Sequence, residues 1–385
     1  MKLVRVAAVA HKEWREILRD RLFLTMAFAL PILTLLVLAW GLSYDVEEIP
    51  FAALDQDRSA TSRDYLHRFI DSRYFHFAGY LATDREVLPL LARGELRLVI
   101  VIPPRFEKDL AEARPVAVQS LIDGVFPYRA QVTRGYVSAI NANWNTQRLR
   151  EHLVRVRGLE PERAAAQVAP VRLQPRYLYN QAIRSTWSMA SGLIMLVLMF
   201  APPFLTALGV VREKENGSIY NVYASTLTRG EFILGKLLPY TLISSVNVLV
   251  LWAAVLGIFG APFKGDPLFF YTASVVYVAC TTGLGLLISL WVRTQAAAAL
   301  LTMVLTFIPA MLYSGLLVPL ESLGRETQIE AYLFPAIYYL QIVWGSFFKG
   351  LAWTGLWDRL LALLVYAALL WTIGILSFRK RPRRA

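Results

Sequence analysis

One short stretch of this sequence sets a run of charges beside turn-forming residues. Arg212, Glu213, Lys214 and Glu215 run into Asn216, Gly217 and Ser218, then into a segment bearing Tyr220 and Tyr223, and finally into Thr228, Arg229, Gly230 and Glu231. Gly217 allows a sharp reversal, Ser218 can cap a short helix running to about Leu227, and Thr228 with Gly230 would break that helix. Such a stretch performs no covalent chemistry. A short capped helix ringed by charge is a surface against which a soluble partner can push, and the plainer alternative is a charged connection that orients the segments on either side.

Other candidate chemistry is thin. The run GEFILGKL, Gly230 to Leu237, nearly spells a phosphate-binding loop. Leu237 stands where the magnesium-binding hydroxyl is needed, no strand precedes the glycines, and an apolar run follows at once. The chain is therefore not expected to bind ATP, nor any cofactor of its own. His11, His67, His76 and His152 are scattered without ligand spacing, so no metal site is expected, and no paired carboxylates occupy an apolar run. Cys280 is alone and can form no internal disulfide. Asn216-Gly-Ser218 matches a glycosylation acceptor, on the side expected to be cytoplasmic.

The elements that must position the turn are apolar runs. Of 385 residues, 56% are hydrophobic and only 18% charged, and the charges are clustered. Runs over 22–44, 185–211, 237–263, 267–292 and 294–320 contain no Asp, Glu, Lys or Arg, and each exceeds the roughly 20 residues a helix needs to cross about 30 Å of hydrocarbon. A shorter sixth span is expected over 358–378. The first run follows a stretch too long and too acidic for a signal peptide and is read as retained. The sequence is thus expected to form an α-helical polytopic membrane protein with six transmembrane helices and an inserted α/β extracytoplasmic domain.

Charge distribution orients it. The net charge of +12 gathers in a tail, residues 379–385, with Arg379, Lys380, Arg381, Arg383 and Arg384, and in an N-terminal segment, residues 1–21, with Lys2, Arg5, Lys12, Arg15, Arg19 and Arg21. Six spans put both ends on one side, and the positive-inside rule makes that side the cytoplasm. The basic balance then reflects topology and lipid headgroups, with no nucleic acid as partner. Within residues 1–21, Val6, Val9, Ala10, Trp14, Ile17 and Leu18 share a helical face, which fits either a helix lying in the membrane interface or an extension of the first span.

Residues 45–184 are charged throughout and read as an α/β domain facing outward. Strands are expected at Ile49–Leu54, Leu96–Ile102 and Val116–Ile122, with helices at Ser62–Ile70, Asp84–Ala92 and about Tyr128–Val156. The second half has short connections apart from the cytoplasmic loop 212–236. Residues 321–357 hold a Pro-interrupted aromatic stretch, Ala331–Phe348, expected to be an outer interfacial or re-entrant helix. On the fifth span Gln295, Thr302, Thr306 and Tyr313 fall in one arc, which would line a translocation path or pack on a neighbouring helix, and Pro309 beside them can kink the helix. On the fourth, Ser274, Thr281, Gly285 and Ser289 form a small-residue stripe read as helix packing.

The loop residues Glu213, Glu215, Gly217, Ser218, Ser225, Leu227, Thr228, Arg229, Glu231, Gly235 and Lys236, together with the outer-domain stretches Ala53–Ser59, Leu90–Leu110 and Leu121–Gly124 and the distal stretches Ser314–Leu323 and Leu333–Gly350, resemble the permease subunits of ABC-2 type exporters. The likeness covers nearly the whole chain in matching order. It departs at Thr226, where most relatives carry Pro, and at Tyr220 and Asn221, where many carry Glu and Gln. The resemblance implies an ATP-binding cassette subunit that holds ATP and magnesium and docks on the loop. It also implies two permeases, identical or sibling, per two ATPases. Glu213 and Glu215 would face a groove on the ATPase, Gly217 and Ser218 would set the helix angle, and Arg229 and Glu231 its exit. Arg212, Tyr220 and Tyr223 complete that contact set. The resemblance further implies export of amphipathic or drug-like small molecules across a bacterial cytoplasmic membrane, with a periplasmic adaptor on the outer domain. The alternative from another class is a membrane-anchored sensor or assembly scaffold with a ligand-binding outer domain.

Overall fold

The structure is a computed structural model that describes residues 2–42, 46–112, 114–169 and 176–378, without the side chains of residues 221–223. The basic tail 379–385 lies outside the described residues. The chain divides into two compact units, Met1–Tyr44 with Tyr177–Ala385, and Asp45–Arg176.

The first unit opens with α1 (Leu3–Arg19) and α2 (Arg21–Gly41), separated only by Asp20, whose side chain accepts from the Phe23 N–H and starts α2. Val6, Glu13 and Ile17 of α1 are buried, so part of its apolar stripe is turned onto protein, while Leu18 of the same stripe is exposed. Pro31 interrupts α2. Having no N–H, it leaves the Ala27 carbonyl one turn back unpaired, and that carbonyl accepts from Asn247 Nδ2 at 2.7 Å.

The second unit carries a four-stranded sheet. Its elements in order are β1 (Ile49–Asp55), α3 (Ala60–Ile70), β2 (Phe75–Tyr80), α4 (Val87–Ala92), β3 (Leu98–Ile102), α5 (Phe106–Ala111), β4 (Gln119–Ile122), α6 (Pro127–Arg157) and α7 (Pro161–Val168). The spatial order is β2-β1-β3-β4, with β1 parallel to β2 and β3, and β4 antiparallel to β3. Central β1 is buried on both faces. Ile49, Phe51 and Ala53 pack with Tyr65 and Phe69 of α3 and Trp144 of α6, while Ala52 and Leu54 pack with Val87 and Leu96. That two-sided burial is why β1 reads as a continuous apolar run. Ser59 caps α3, Pro127 opens α6 and Gly158 closes it with φ of 61°.

The rest of the first unit is helical: α8 (Ser185–Glu215), α9 (Ile219–Ala224), α10 (Arg229–Gly257), α11 (Pro267–Trp291), α12 (Gln295–Thr302), α13 (Ile308–Tyr313), α14 (Arg325–Tyr332), α15 (Pro335–Trp344) and α16 (Trp353–Ser377). A π-helical turn, Met303–Phe307, joins α12 to α13 just before Pro309, so the expected break takes that form. Among the described residues six helices are long and apolar enough to cross a membrane, counting Gln295–Tyr313 as one, and the bent pair Arg325–Tyr332 with Pro335–Lys349 makes a seventh if it is one span. α8 is almost wholly enclosed by the others. The small-residue stripe of α11 is a packing contact, since a Cβ on Gly285 would meet the Pro203 carbonyl oxygen of α8 at 2.3 Å, and Ser274 Oγ bonds Tyr339 OH at 2.6 Å. The stretch Ala331–Phe348 contains a sharp bend. Arg325–Tyr332 and Pro335–Lys349 meet at 86°, and Pro335, Ile337, Tyr339, Ile342 and Phe347 are buried in the bundle core.

Candidate functional site

Four successive charges end α8, and the helix aims each in a different direction because successive side chains are about 100° apart. Arg212 donates to Asp20 ahead of α2. Glu213 Oε1 accepts from Lys12 of α1 at 2.9 Å and pairs with Lys236 of α10 at 3.1 Å. The Lys214 ammonium bonds the carbonyls of Ser289 and Val292 at the end of α11. Glu215 Oε2 accepts from Gln295 Nε2, at the start of α12, at 2.6 Å. One helical turn thus ties α8 to α1, α2, α10, α11 and α12.

The centre of this hub is buried. Glu13, Lys236 and Glu213 are 2%, 1% and 6% exposed, a placement tolerable only because the charges pair. Lys236 Nζ lies 2.9 Å from Glu13 Oε2, and Tyr240 OH donates to Glu13. Glu13, Glu16 and Glu213 gather closely enough to resemble a metal cluster, but Lys12 and Lys236 lie among them and supply the countercharge. Burial alone would lower the Lys12 ammonium. The bond and charge of Glu213, with Glu16 and Glu13 nearby, outweigh it and hold Lys12 above its ordinary pKa. Asp20 is held below the usual carboxylate range by the Phe23 N–H and, against the opposing effect of burial, by Arg212. α1 reaches this position because α10 carries Gly235, where a Cβ would lie 2.6 Å from Val9 Cβ and 2.8 Å from the Val6 carbonyl oxygen.

The turn follows directly. Gly217 has φ of 72°, in the left-handed region glycine favours, and Ser218 Oγ donates to the Glu213 carbonyl, which anchors the turn to α8. Beyond α9, Thr228 is the N-cap of α10 and forms a capping box with Glu231: Thr228 N–H to Glu231 Oε2 is 2.9 Å and Glu231 N–H to Thr228 Oγ1 is 3.3 Å. Glu231 also accepts from the Lys2 N–H at 2.7 Å, and Arg5 donates to the Thr226 carbonyl at 2.8 Å. The start of α1 therefore clasps the end of the turn.

The expected contact residues separate into two groups. Glu213 and Glu231 are internal, so the reading that Glu213 faces a partner's groove is corrected, the physical reason being its pairing with Lys12 and Lys236. Arg212 is half-buried against Asp20. Glu215, Asn216, Tyr220, Thr226 and Arg229 are exposed, while Gly217 and Ser218 are half-buried beneath them. The Tyr223 side chain lies outside the described residues. The expected path residues do not line a channel within this chain. Gln295 belongs to the hub, and Thr302 and Thr306 are buried with their hydroxyls donated to the Ala298 and Thr302 carbonyls of their own helix. Tyr313 stacks on Phe334. Sequence reasoning missed Lys12, Glu13, Asp20, Lys214 and Tyr240. Glu13 had a signal: it sits one turn from both Val9 and Ile17, a carboxylate on an otherwise apolar stripe.

Comparison with known proteins agrees with this architecture. Residues 21–376 match the model of the family described as ABC-2 family transporter protein. The chain is similar to the probable multidrug ABC transporter permease YbhS of Escherichia coli strain K12, 28% identical over 90% of this chain and 89% of that protein. It is also similar to the probable multidrug ABC transporter permease YbhR of the same strain, 24% identical over 98% and 99%. The inner membrane transport permease YhhJ, again of that strain, is 24% identical over 96% and 95%. The chain belongs to the ABC-2 transporter family and is a multi-pass permease.

Proposed function

We propose that this ABC-2 permease is the membrane half of an exporter driven by a separate ATP-binding cassette subunit, which docks on the exposed turn between α8 and α10. The observation that carries the reading is the hub itself. Arg212, Glu213, Lys214 and Glu215 connect five neighbouring elements immediately before a turn whose outer surface presents Glu215, Asn216, Tyr220, Thr226 and Arg229. A force applied at α9 therefore reaches the inner ends of the spans through short, charge-assisted bonds. The stretch Gly230–Leu237 lies inside α10, and in this reading ATP and magnesium are held by the partner.

In this reading both termini and the turn face the cytoplasm of a bacterial inner membrane, and Asp45–Arg176 faces outward as a contact for a periplasmic adaptor. A second permease, identical or sibling, completes the pathway. The substrates are amphipathic or drug-like small molecules, in keeping with the names of YbhS and YbhR. The exposed apolar face of α12 and α13, with Leu300, Val304, Ile308 and Leu312, is the surface offered to that second copy or to lipid.

The test uses the permease co-purified with its ATPase and reconstituted in vesicles. Drug-stimulated ATP hydrolysis is expected, and Glu215→Lys, which reverses a charge on the exposed turn and breaks the Gln295 bond, is expected to uncouple hydrolysis from transport while leaving the assembly intact. Unchanged hydrolysis and unchanged transport in that variant would reject the assignment.

A further inference from the structure

The charges around α1 are sorted by direction. Its acids are all engaged by protein: Glu13 by Lys236 and Tyr240, Glu16 by Lys12, and Asp20 by Arg212 and the Phe23 N–H. Two cations are turned the same way, Arg5 to Thr226 and Glu231, and Lys12 to Glu213. Lys2, exposed at the start of α1, engages Glu231 only through its backbone N–H, and Arg15, Arg19 and Arg21 remain at the far end. All three are exposed and, among the described residues, without a protein partner. Leu18 lies between Arg15 and Arg19 and Leu22 directly follows Arg21, 50% and 72% exposed. Residues 15, 18 and 19 share one face of α1, and Arg21 and Leu22 follow in the first turn of α2.

We infer that this outward strip of α1 binds the anionic phospholipid headgroups of the bilayer that α2 enters. The argument is charge complementarity joined to position. A guanidinium matches a phosphate with two parallel donors, so three unpartnered arginines within seven residues fit a row of lipid phosphates. The leucines beside them, Leu18 and Leu22, reach into the acyl boundary, which an acidic protein surface would not require. Only Asp20 separates α1 from a helix apolar enough to cross the membrane, so the strip lies within a turn or two of the hydrocarbon edge. Of the apolar face of α1 the strip takes in only Leu18, while Val6 and Ile17 are packed on protein. Lipid held on one side of α1 presses the other side, with Glu13, onto the buried hub. The inference needs only that α2 crosses a membrane, and stands whether or not an ATPase docks on the turn.

The test places an environment-sensitive fluorophore on Leu18→Cys in the full chain, where the only native cysteine, Cys280, is buried. The protein is reconstituted in nanodiscs of phosphatidylcholine with or without phosphatidylglycerol, which leave both faces accessible. Blue-shifted emission is expected only with phosphatidylglycerol, reversed by high salt. Arg15→Gln with Arg19→Gln should lower the preference for retained phosphatidylglycerol over phosphatidylcholine, read by native mass spectrometry, by about fivefold per charge. Arg21 is kept so that a cation still flanks the span. If the double variant fails to fold, the labelled chain with native arginines still reads the lipid dependence. Equal emission in both nanodiscs, or a shift that appears only when a soluble protein partner is added, overturns the inference.

Discussion

Removing Lys236 should collapse the buried hub, and a second substitution should restore it. The ammonium lies 2.9 Å from Glu13 Oε2 and 3.1 Å from Glu213 Oε1. At an effective dielectric constant of about 20, each contact carries about 5 kcal/mol of Coulomb attraction. Lys236→Met forfeits both and leaves two carboxylates facing each other in a site closed to solvent, but it also releases several kcal/mol of lysine desolvation. The net loss expected for breaking such a pair from one side is about 3–5 kcal/mol. Glu13→Gln added to Lys236→Met removes the stranded carboxylate while preserving a hydrogen-bonding partner for Tyr240. Lys12 continues to serve Glu213. The double variant is expected to return to within about 1–2 kcal/mol of the wild type. Equilibrium unfolding in mixed micelles, run as a double-mutant cycle, measures the coupling. A double variant as unstable as the sum of the two single changes would refute the pairing and with it the account of how α1 is held.

Gly235→Ala should loosen α1, because the added Cβ meets the Val6 carbonyl oxygen at 2.8 Å, and limited proteolysis should then cut within residues 2–19 faster than in the wild type. Asn247→Leu should destabilise the fold by about 1–3 kcal/mol by stranding the Ala27 carbonyl. Pro31→Ala should make that same change nearly neutral, since residue 31 then supplies the missing N–H, and thermal unfolding of the four variants checks the cycle. The pKa of Asp20 is lowered on folding, so its contribution to stability is complete above the ordinary value of 3.8 and is lost as pH falls through the lowered value. Asp20→Asn should flatten that part of the acid limb in a pH series of melting temperatures.

The spans were legible because length without charge is sufficient evidence for a membrane helix. α6 was legible as well, read at Tyr128–Val156 and found at Pro127–Arg157, because apolar residues recur at helical spacing over many turns. Of the short elements, β1, α3, β3 and β4 were legible at close to their observed bounds, whereas β2 and α5 were not. β2 carries His76 and Gly79, which dilute the alternation of Phe75, Phe77 and Tyr80, and α5 has too few residues for a period to show. At the hub the residue types were visible while their directions were not. Whether Glu213 faces outward depends on Lys12 and Lys236, the first some two hundred residues away in the chain, and no local pattern records that pairing. The stripe Thr302 and Thr306 stayed open to two readings for a related reason: in an apolar setting a threonine hydroxyl is satisfied by its own helix, so polarity along a face does not by itself mark water.

The enclosure of α8 bears on how the protein is made. Ser191, Gly192, Thr206 and Gly209 sit among side chains contributed by helices synthesised later, among them Leu316, Leu340 and Tyr240. When α8 leaves the ribosome none of these neighbours exists, and the surface it will hide must rest against acyl chains or the insertion machinery. Its assembly is finished only when the last third of the polypeptide arrives, so chains cut short after α11 should be recognised and degraded by membrane quality control rather than persist as partial bundles.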